Sequence, residues 1–215
     1  MPSLLSANFA DIRQQISMCE EAGIDILHAD IMDGHFVPNI TFGPMFVEMI
    51  NGITELPIDC HLMIENPDKY IPNFAKAGAD YISVHAEAVP HLHRTLQLIR
   101  DCGAKPGVAL NPITPLEYAW EAVPYSDFIL LMSVNPGFGG QSFIEAYLDR
   151  AKRLKEFIDK NGYNCEIQVD GGVKLDNVKQ IAEAGANMIV SGSGLFSGDF
   201  AENTAKMRSI LDSLA

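Results

Sequence analysis

Basic residues are scarce in this chain: 15 Lys and Arg stand against 28 Asp and Glu, a formal net charge of −13 over 215 residues. A surface of that sign repels polyanions, so neither nucleic acid nor an anionic membrane is expected as a partner. A small anionic ligand is not excluded, because backbone N–H groups can hold a phosphate without a cationic side chain. Cysteine is sparse too. Cys19, Cys60, Cys102 and Cys165 are far apart and form no CxxC pair. A disulfide framework and a zinc finger are thereby disfavoured, and free thiols in a reducing cytosol are expected. Long apolar runs are missing: the longest, Phe128 to Met132, is far too short to cross a bilayer. Met1 to Ser6 lacks the basic stretch of a signal peptide. No Pro/Gly/Ser-rich linker divides the sequence. One domain spanning 1–215, in the cytoplasm, is the expectation.

What is present is an alternation. Eight short apolar runs read as strands: Pro2–Ser6, Ile24–Ala29, Ile58–Cys60, Tyr81–Val84, Gly107–Leu110, Phe128–Met132, Glu166–Val169 and Met188–Val190. They are apolar on both faces, as parallel strands buried on both sides must be. Segments of helical spacing lie between and after them, from Phe9–Ala22 to Glu202–Leu214. The turns Ala22-Gly23-Ile24-Asp25, Ala77-Gly78-Ala79-Asp80 and Ala184-Gly185-Ala186-Asn187 repeat one pattern. A glycine closes each helix and a strand follows. Eight of each element in strict alternation, at this length, point to an α/β fold: a (β/α)8 TIM barrel rather than an open doubly wound sheet. The absence of GxGxxG after the first run argues the same way.

In such a barrel, chemistry sits at the C-terminal ends of the strands. His28 and Asp30 are two apart near the end of the second run, so on a strand they share a face. His61 and Asp170 end the third and seventh runs. Two imidazoles and two carboxylates converging on one spot suit Zn²⁺, Fe²⁺, Mn²⁺ or Co²⁺. Glycine-rich loops form a second group: Gly137, Gly139 and Gly140 around Phe138, then Gly171 and Gly172, then Gly192, Ser193 and Gly194. Glycines let backbone N–H groups approach a ligand, and loops after the last barrel strands often hold phosphate. Met32, Met63 and Met132 also end strands. They read either as a polarizable apolar wall at the site or as plain core filling. His85 reads as a satisfied structural histidine, with a supporting hydrogen bond to the site as the alternative.

The stretch His28-Ala29-Asp30-Ile31-Met32-Asp33-Gly34-His35-Phe36-Val37-Pro38-Asn39 resembles the signature of the ribulose-phosphate 3-epimerase family. His61-Leu62-Met63, the run Asn135 to Phe143, Val169-Asp170-Gly171-Gly172-Val173 and Ser191-Gly192-Ser193 match that family in order and spacing. The resemblance covers essentially the whole chain. It implies one divalent metal ion per subunit (Zn, Fe(II), Mn or Co) on His28, Asp30, His61 and Asp170, with Asp30 and Asp170 as the acid/base pair. It also implies sugar contacts from Ser3 and His61 and a phosphate end held by Gly137, Phe138, Gly139, Gly140, Gly171, Gly172, Gly192 and Ser193. A ketose phosphate would be the small-molecule partner, and a homo-oligomer is implied. The reaction would invert C3 of D-ribulose 5-phosphate through an enediolate. A 3-epimerase for a hexulose 6-phosphate and a non-catalytic sugar-phosphate-binding barrel are the alternatives. Decarboxylases of the wider phosphate-binding barrel group carry Asp-x-Lys-x-x-Asp on strand 3. Asp59-Cys60-His61-Leu62-Met63 has no such lysine.

Overall fold

A computed structural model describes residues 1–214. Seven parallel strands run in sequence order: β1 Leu27–Met32, β2 Ile58–Met63, β3 Tyr81–His85, β4 Lys105–Leu110, β5 Phe128–Met132, β6 Glu166–Asp170 and β7 Met188–Ile189. The ring is closed by a segment only two residues long. Pro2 bridges Ser191 and Ser3 bridges His28, both in parallel. Ser3 N–H donates to Ser191 O (3.1 Å), and His28 N–H donates to Pro2 O (3.0 Å). The α-helices are α1 Ile12–Glu21, α2 Pro44–Asn51, α3 Ile71–Lys76, α4 Leu92–Asp101, α5 Glu117–Ala122, α6 Ala146–Asn161, α7 Val178–Glu183, α8 Ser193–Phe196 and α9 Phe200–Asp212. This is the barrel expected from the alternation, with one short extra helix, α8, after the last strand.

Two expected strands are displaced. The first is not Pro2–Ser6, because Leu4–Ser6 turn into a 3-10 helix. The second is not Ile24–Ala29. Ile24 belongs to the turn after α1, where its N–H donates to Cys19 O (3.0 Å). β1 instead runs on through Asp30 to Met32. Reading strands as apolar runs cut β1 short at its polar residues, although these are buried because they face the barrel interior. The same cause makes β2, β3 and β6 extend past the expected limits to Met63, His85 and Asp170.

The period of two sorts every strand into an outer and an inner row. Leu27, Ala29 and Ile31, Ile58, Cys60 and Leu62, Ile82 and Val84, Val108 and Leu110, Ile129 and Leu131, and Ile167 and Val169 point outward into one continuous core with the helices. Each large aliphatic side chain buried there contributes about 1.5–3 kcal/mol. The inner row is mixed: His28, Asp30, Asp59, His61, Ser83, His85 and Gln168 are buried and polar, while Met32, Met63, Ala109, Leu130 and Met132 are buried and apolar. Gly107 on β4 leaves room for a ring here, since a Cβ at that position would lie 2.2 Å from Phe128 Cζ.

The repeated helix-to-strand turns register the strands. Gly23, Gly78 and Gly185 take φ of +69°, +106° and +113°, the left-handed region that ends a helix without a Cβ penalty. After Gly78 and Gly185 the polar residue two positions later reaches a neighbouring strand. Asp80 Oδ2 accepts from Ile58 N–H (2.8 Å) and Asn187 Oδ1 from Ile167 N–H (2.9 Å). The four cysteines are free, and three of them are buried.

Candidate metal centre and active site

β1 pairs with β2 so that His28 lies beside Asp59, Asp30 beside His61 and Met32 beside Met63. The period of two sends all six side chains to the barrel interior at three successive heights. Asp170 arrives from the end of β6, beside Met132 of β5. His28, Asp30, His61 and Asp170 thus converge, each with one ligand atom, and these atoms lie within 4.8 Å of one another. His28 Nε2 is 3.3 Å from Asp30 Oδ1 and 3.8 Å from Asp170 Oδ2. His61 Nδ1 is 3.5 Å and 3.6 Å from the same two oxygens.

The residues fit a cation. Both inward ring nitrogens, His28 Nε2 and His61 Nδ1, are buried and lack a hydrogen-bond partner among the described residues. Orphaned buried polar atoms are costly, and a metal satisfies both at once. Tetrahedral bonds of about 2.0–2.1 Å put ligand atoms roughly 3.3 Å apart. The four imidazole–carboxylate separations, 3.3 to 3.8 Å, are at or slightly beyond that value. Imidazole with carboxylate is also the donor set that Zn²⁺ and its divalent neighbours accept.

Three of the four residues are held from behind. His28 Nδ1 lies 2.7 Å from Asp59 Oδ2, which also accepts from Gln168 Nε2 at 2.6 Å. Ser3 Oγ–H donates to Asp30 Oδ2 at 2.6 Å, leaving Oδ1 for the centre. His61 Nε2 lies 2.8 Å from His85 Nε2. His85 Nδ1 in turn faces Glu87 Oε2 at 3.2 Å. Asp59, Gln168 and Glu87 did not stand out in the sequence. The signal for the first two was there, since Asp59 is two residues before His61 and Gln168 two before Asp170, on the same strand faces. His85, read from sequence as a structural histidine, instead touches a member of the four-residue cluster.

The electrostatics follow from burial and pairing. Burial opposes charge on His28, but the carboxylates of Asp30 and Asp59 outweigh it and hold its pKa well above the ordinary histidine range. Burial opposes charge on His61 too, and Asp170 and Asp30 raise its pKa on balance. For Asp30, burial is overcome by His28 and His61, and the carboxyl is held far below its usual range. His85 goes the other way. Burial pulls it down to about 4, so its ring is neutral. Glu87 stays ionised, its pKa brought to about 2 against burial by bonds from His85, Thr114 and Asn111.

Above the ligands opens a small cavity of about 50 Å³. Ser3, Asp30 and Asp170 form its floor, and Met32, Met63 and Met132 stand in its wall. Gly137, Phe138, Gly139, Gly140, Gly171, Gly172, Gly192 and Ser193 line the remainder. His28 and His61 sit beneath, fully buried. The four cluster residues, Ser3, the three methionines and the glycine-loop residues from Gly137 to Ser193 named above therefore lie in or directly under one cavity; Gly194 does not line it. Among the described residues no lysine or arginine lines it. Gly171 has φ +117°, and a Cβ there would sit 2.4 Å from Val134 Cγ2, so the backbone passes where no side chain fits.

The model of the ribulose-phosphate 3-epimerase family matches residues 1–196. This chain belongs to that family. It is 54% identical over 196 residues to the ribulose-phosphate 3-epimerase of Bacillus subtilis (strain 168), covering 91% of this chain and 90% of the relative. The enzyme of the same name from Aquifex aeolicus (strain VF5) is 51% identical, with 98% and 95% covered. Among solved structures, KGPDC from Streptococcus mutans superposes with a TM-score of 0.72. It covers 98% of this chain and 95% of its own, at 16% identity. That likeness concerns the fold. Within the epimerase family, the His28/Asp30/His61/Asp170 cluster marks this chain as one with a possible metal site.

Proposed function

We propose that this protein epimerises C3 of D-ribulose 5-phosphate to D-xylulose 5-phosphate, with one divalent metal ion per subunit (Zn, Fe(II), Mn or Co) on His28, Asp30, His61 and Asp170. The observation that carries the proposal is the placement of two carboxylates, Asp30 and Asp170, on the floor of one cavity, both facing the same pair of buried imidazoles.

Inverting a carbon beside a ketone needs a proton removed from one face and returned to the other, through a planar enediolate. One base cannot serve both faces, so two are required. Asp30 projects from β1 and Asp170 from β6, strands on different sides of the ring. One takes the C3 proton and the other delivers one, and their roles exchange with reaction direction. A bound cation would supply positive charge where the substrate's oxygens become negative. Ser3 holds Asp30 Oδ2 and so aims its other oxygen. Met32, Met63 and Met132 keep water from the reacting face and suit a flat, polarizable intermediate. The glycine loops from Gly137 to Gly140, at Gly171 and Gly172, and at Gly192 and Ser193 offer backbone N–H groups to the phosphate. With no cationic side chain among the described lining residues, those groups are what the cavity has for an anion.

The single domain 1–215 is the unit we propose for this activity. Action in the cytoplasm and assembly into a homo-oligomer belong to the same reading, the latter supported by the exposed apolar side chains of Ile40 and Met45.

The test is conversion of D-ribulose 5-phosphate by purified protein, stripped by chelator and then reloaded with metal, beside Asp30→Asn and Asp170→Asn. Metal-dependent turnover, lost by at least about 100-fold in each variant, is expected. No turnover by the reloaded wild type would overturn the ribulose-phosphate assignment. Unchanged turnover in either variant would overturn the two-base scheme.

A further inference from the structure

The chain of contacts behind His61 has a direction built into it. Glu87 follows β3 in a 3-10 turn, Ala86–Ala88. Its Oε1 accepts from Asn111 N–H (2.9 Å) and from the Thr114 hydroxyl, both in the loop after β4. That leaves Oε2 for His85 Nδ1 at 3.2 Å. An ionised carboxylate only accepts hydrogen bonds, so His85 must carry its proton on Nδ1. A neutral ring protonated there has a bare Nε2. His61 Nε2 lies 2.8 Å from that bare nitrogen and must be the donor. The other nitrogen of His61, Nδ1, is then the one free to give its lone pair, and it is the one that faces Asp30 and Asp170.

We propose that Glu87, acting through His85, is a positioning residue that keeps a proton on His61 Nε2, so that Nδ1 is the nitrogen that gives up its proton and binds the metal. The inference rests on the metal site proposed above. It gives a function to two groups that the acid/base chemistry does not use. His85 is fully buried and meets His61 edge to edge, with ring centroids 5.0 Å apart and planes 26° apart, so neither ring is free to turn. Glu87 is anchored by the β4 loop, so the tautomer of His61 is set from the end of the next strand but one.

Glu87→Gln tests this because it reverses the relay while keeping the shape. Gln Oε1 would still serve Asn111 and Thr114, and its amide would present N–H to His85 Nδ1. The proton of His85 would move to Nε2, and that of His61 to Nδ1, the face that must bind the cation. Metal affinity is read by competition of Zn²⁺ alone against a chromophoric chelator, without substrate, together with the melting temperature of the metal-free protein. Weakening of Zn²⁺ binding by about 10–100-fold, with the metal-free melting temperature little changed, is expected. Wild-type Zn²⁺ affinity in Glu87→Gln would overturn the relay and leave the metal site standing. No Zn²⁺ binding by the wild type would overturn the metal site and the relay with it. His85→Phe and His85→Gln give an independent reading should Glu87→Gln not fold. Phe removes the acceptor and should lose affinity to the same degree. Gln restores an acceptor and should recover part of it. Equal affinity in those two variants would refute the proposal.

Discussion

Metal loading at this centre should release protons, and the number follows from the geometry. Two buried ring nitrogens, His28 Nε2 and His61 Nδ1, have no hydrogen-bond partner among the described residues and face carboxylate oxygens at 3.3–3.8 Å. In the metal-free protein both histidines hold their protons more tightly than usual. A cation must displace them, so up to two protons leave per ion bound. Below both folded-state values, affinity should then fall up to about 100-fold per pH unit, roughly 2.7 kcal/mol. The sign for stability is opposite in the two forms. A raised histidine pKa stabilises the metal-free fold fully below the unfolded value of 6.5, and that stabilisation is lost as pH rises through the folded-state value. Asp30, whose pKa is depressed, contributes a constant amount in this window, since its stabilisation is lost only in acid. Lowering the pH toward 6.5 should therefore raise the melting temperature of the chelator-treated protein. The same change should shrink the added stability from a fixed Zn²⁺ concentration by up to about 5–10 °C per unit. The assay is a thermal melt with and without Zn²⁺ across this range, plus proton release on Zn²⁺ addition in weak buffer with an indicator dye. Proton release near zero, with parallel melting curves, would show that the two nitrogens are not competing sites for proton and metal.

Three other outcomes are expected. Ser3→Ala removes the 2.6 Å bond that aims Asp30 and should lower both kcat/KM and the Zn²⁺ affinity measured with chelator by roughly 10–100-fold. Met63→Ala empties a fully buried position of the wall and should cost about 2–4 kcal/mol, seen as a fall in denaturant midpoint; kcat should fall as well if the wall excludes water. Gly107→Ala drives a Cβ into the Phe128 ring and should cost about 1–3 kcal/mol, with activity per folded molecule unchanged; Phe128→Leu in the same chain should relieve part of the loss in a double-mutant cycle.

The barrel could be read from sequence because its signals are local and repeated. Short two-faced apolar runs alternate with helical spacing, and the glycines at 23, 78 and 185 mark the same turn three times. What local patterning could not give was the length of strands with polar interiors. A run that ends at Ala29 or Cys60 looks finished, yet β1 and β2 continue because Asp30 and His61 find partners on the neighbouring segments, Ser3 and His85, rather than along the chain. The four cluster residues were legible as a set, through strand position and family resemblance. Their supports were not. Glu87 meets His85 through a turn, and Gln168 meets Asp59 across the barrel, at a sequence separation of 109. No periodicity encodes a contact of that kind. The brevity of the first strand was equally hidden, since Leu4 and Leu5 look as suited to a strand as Pro2 and Ser3.

That brevity has a consequence for the order in which the molecule can be made. Pro2 and Ser3 find one of their two neighbours, Ser191, only at the far end of the described chain. A nascent polypeptide presents His28, Asp30 and His61 long before Asp170 has left the ribosome. During that interval the seam is open on the Ser191 side, and Ser3 has only its pairing with His28 to hold it against Asp30. Capture of the ion in its finished geometry must then wait for the last βα unit. The growing chain offers a cation three early ligands but no closed cage, and the completed ring is what converts them into a centre.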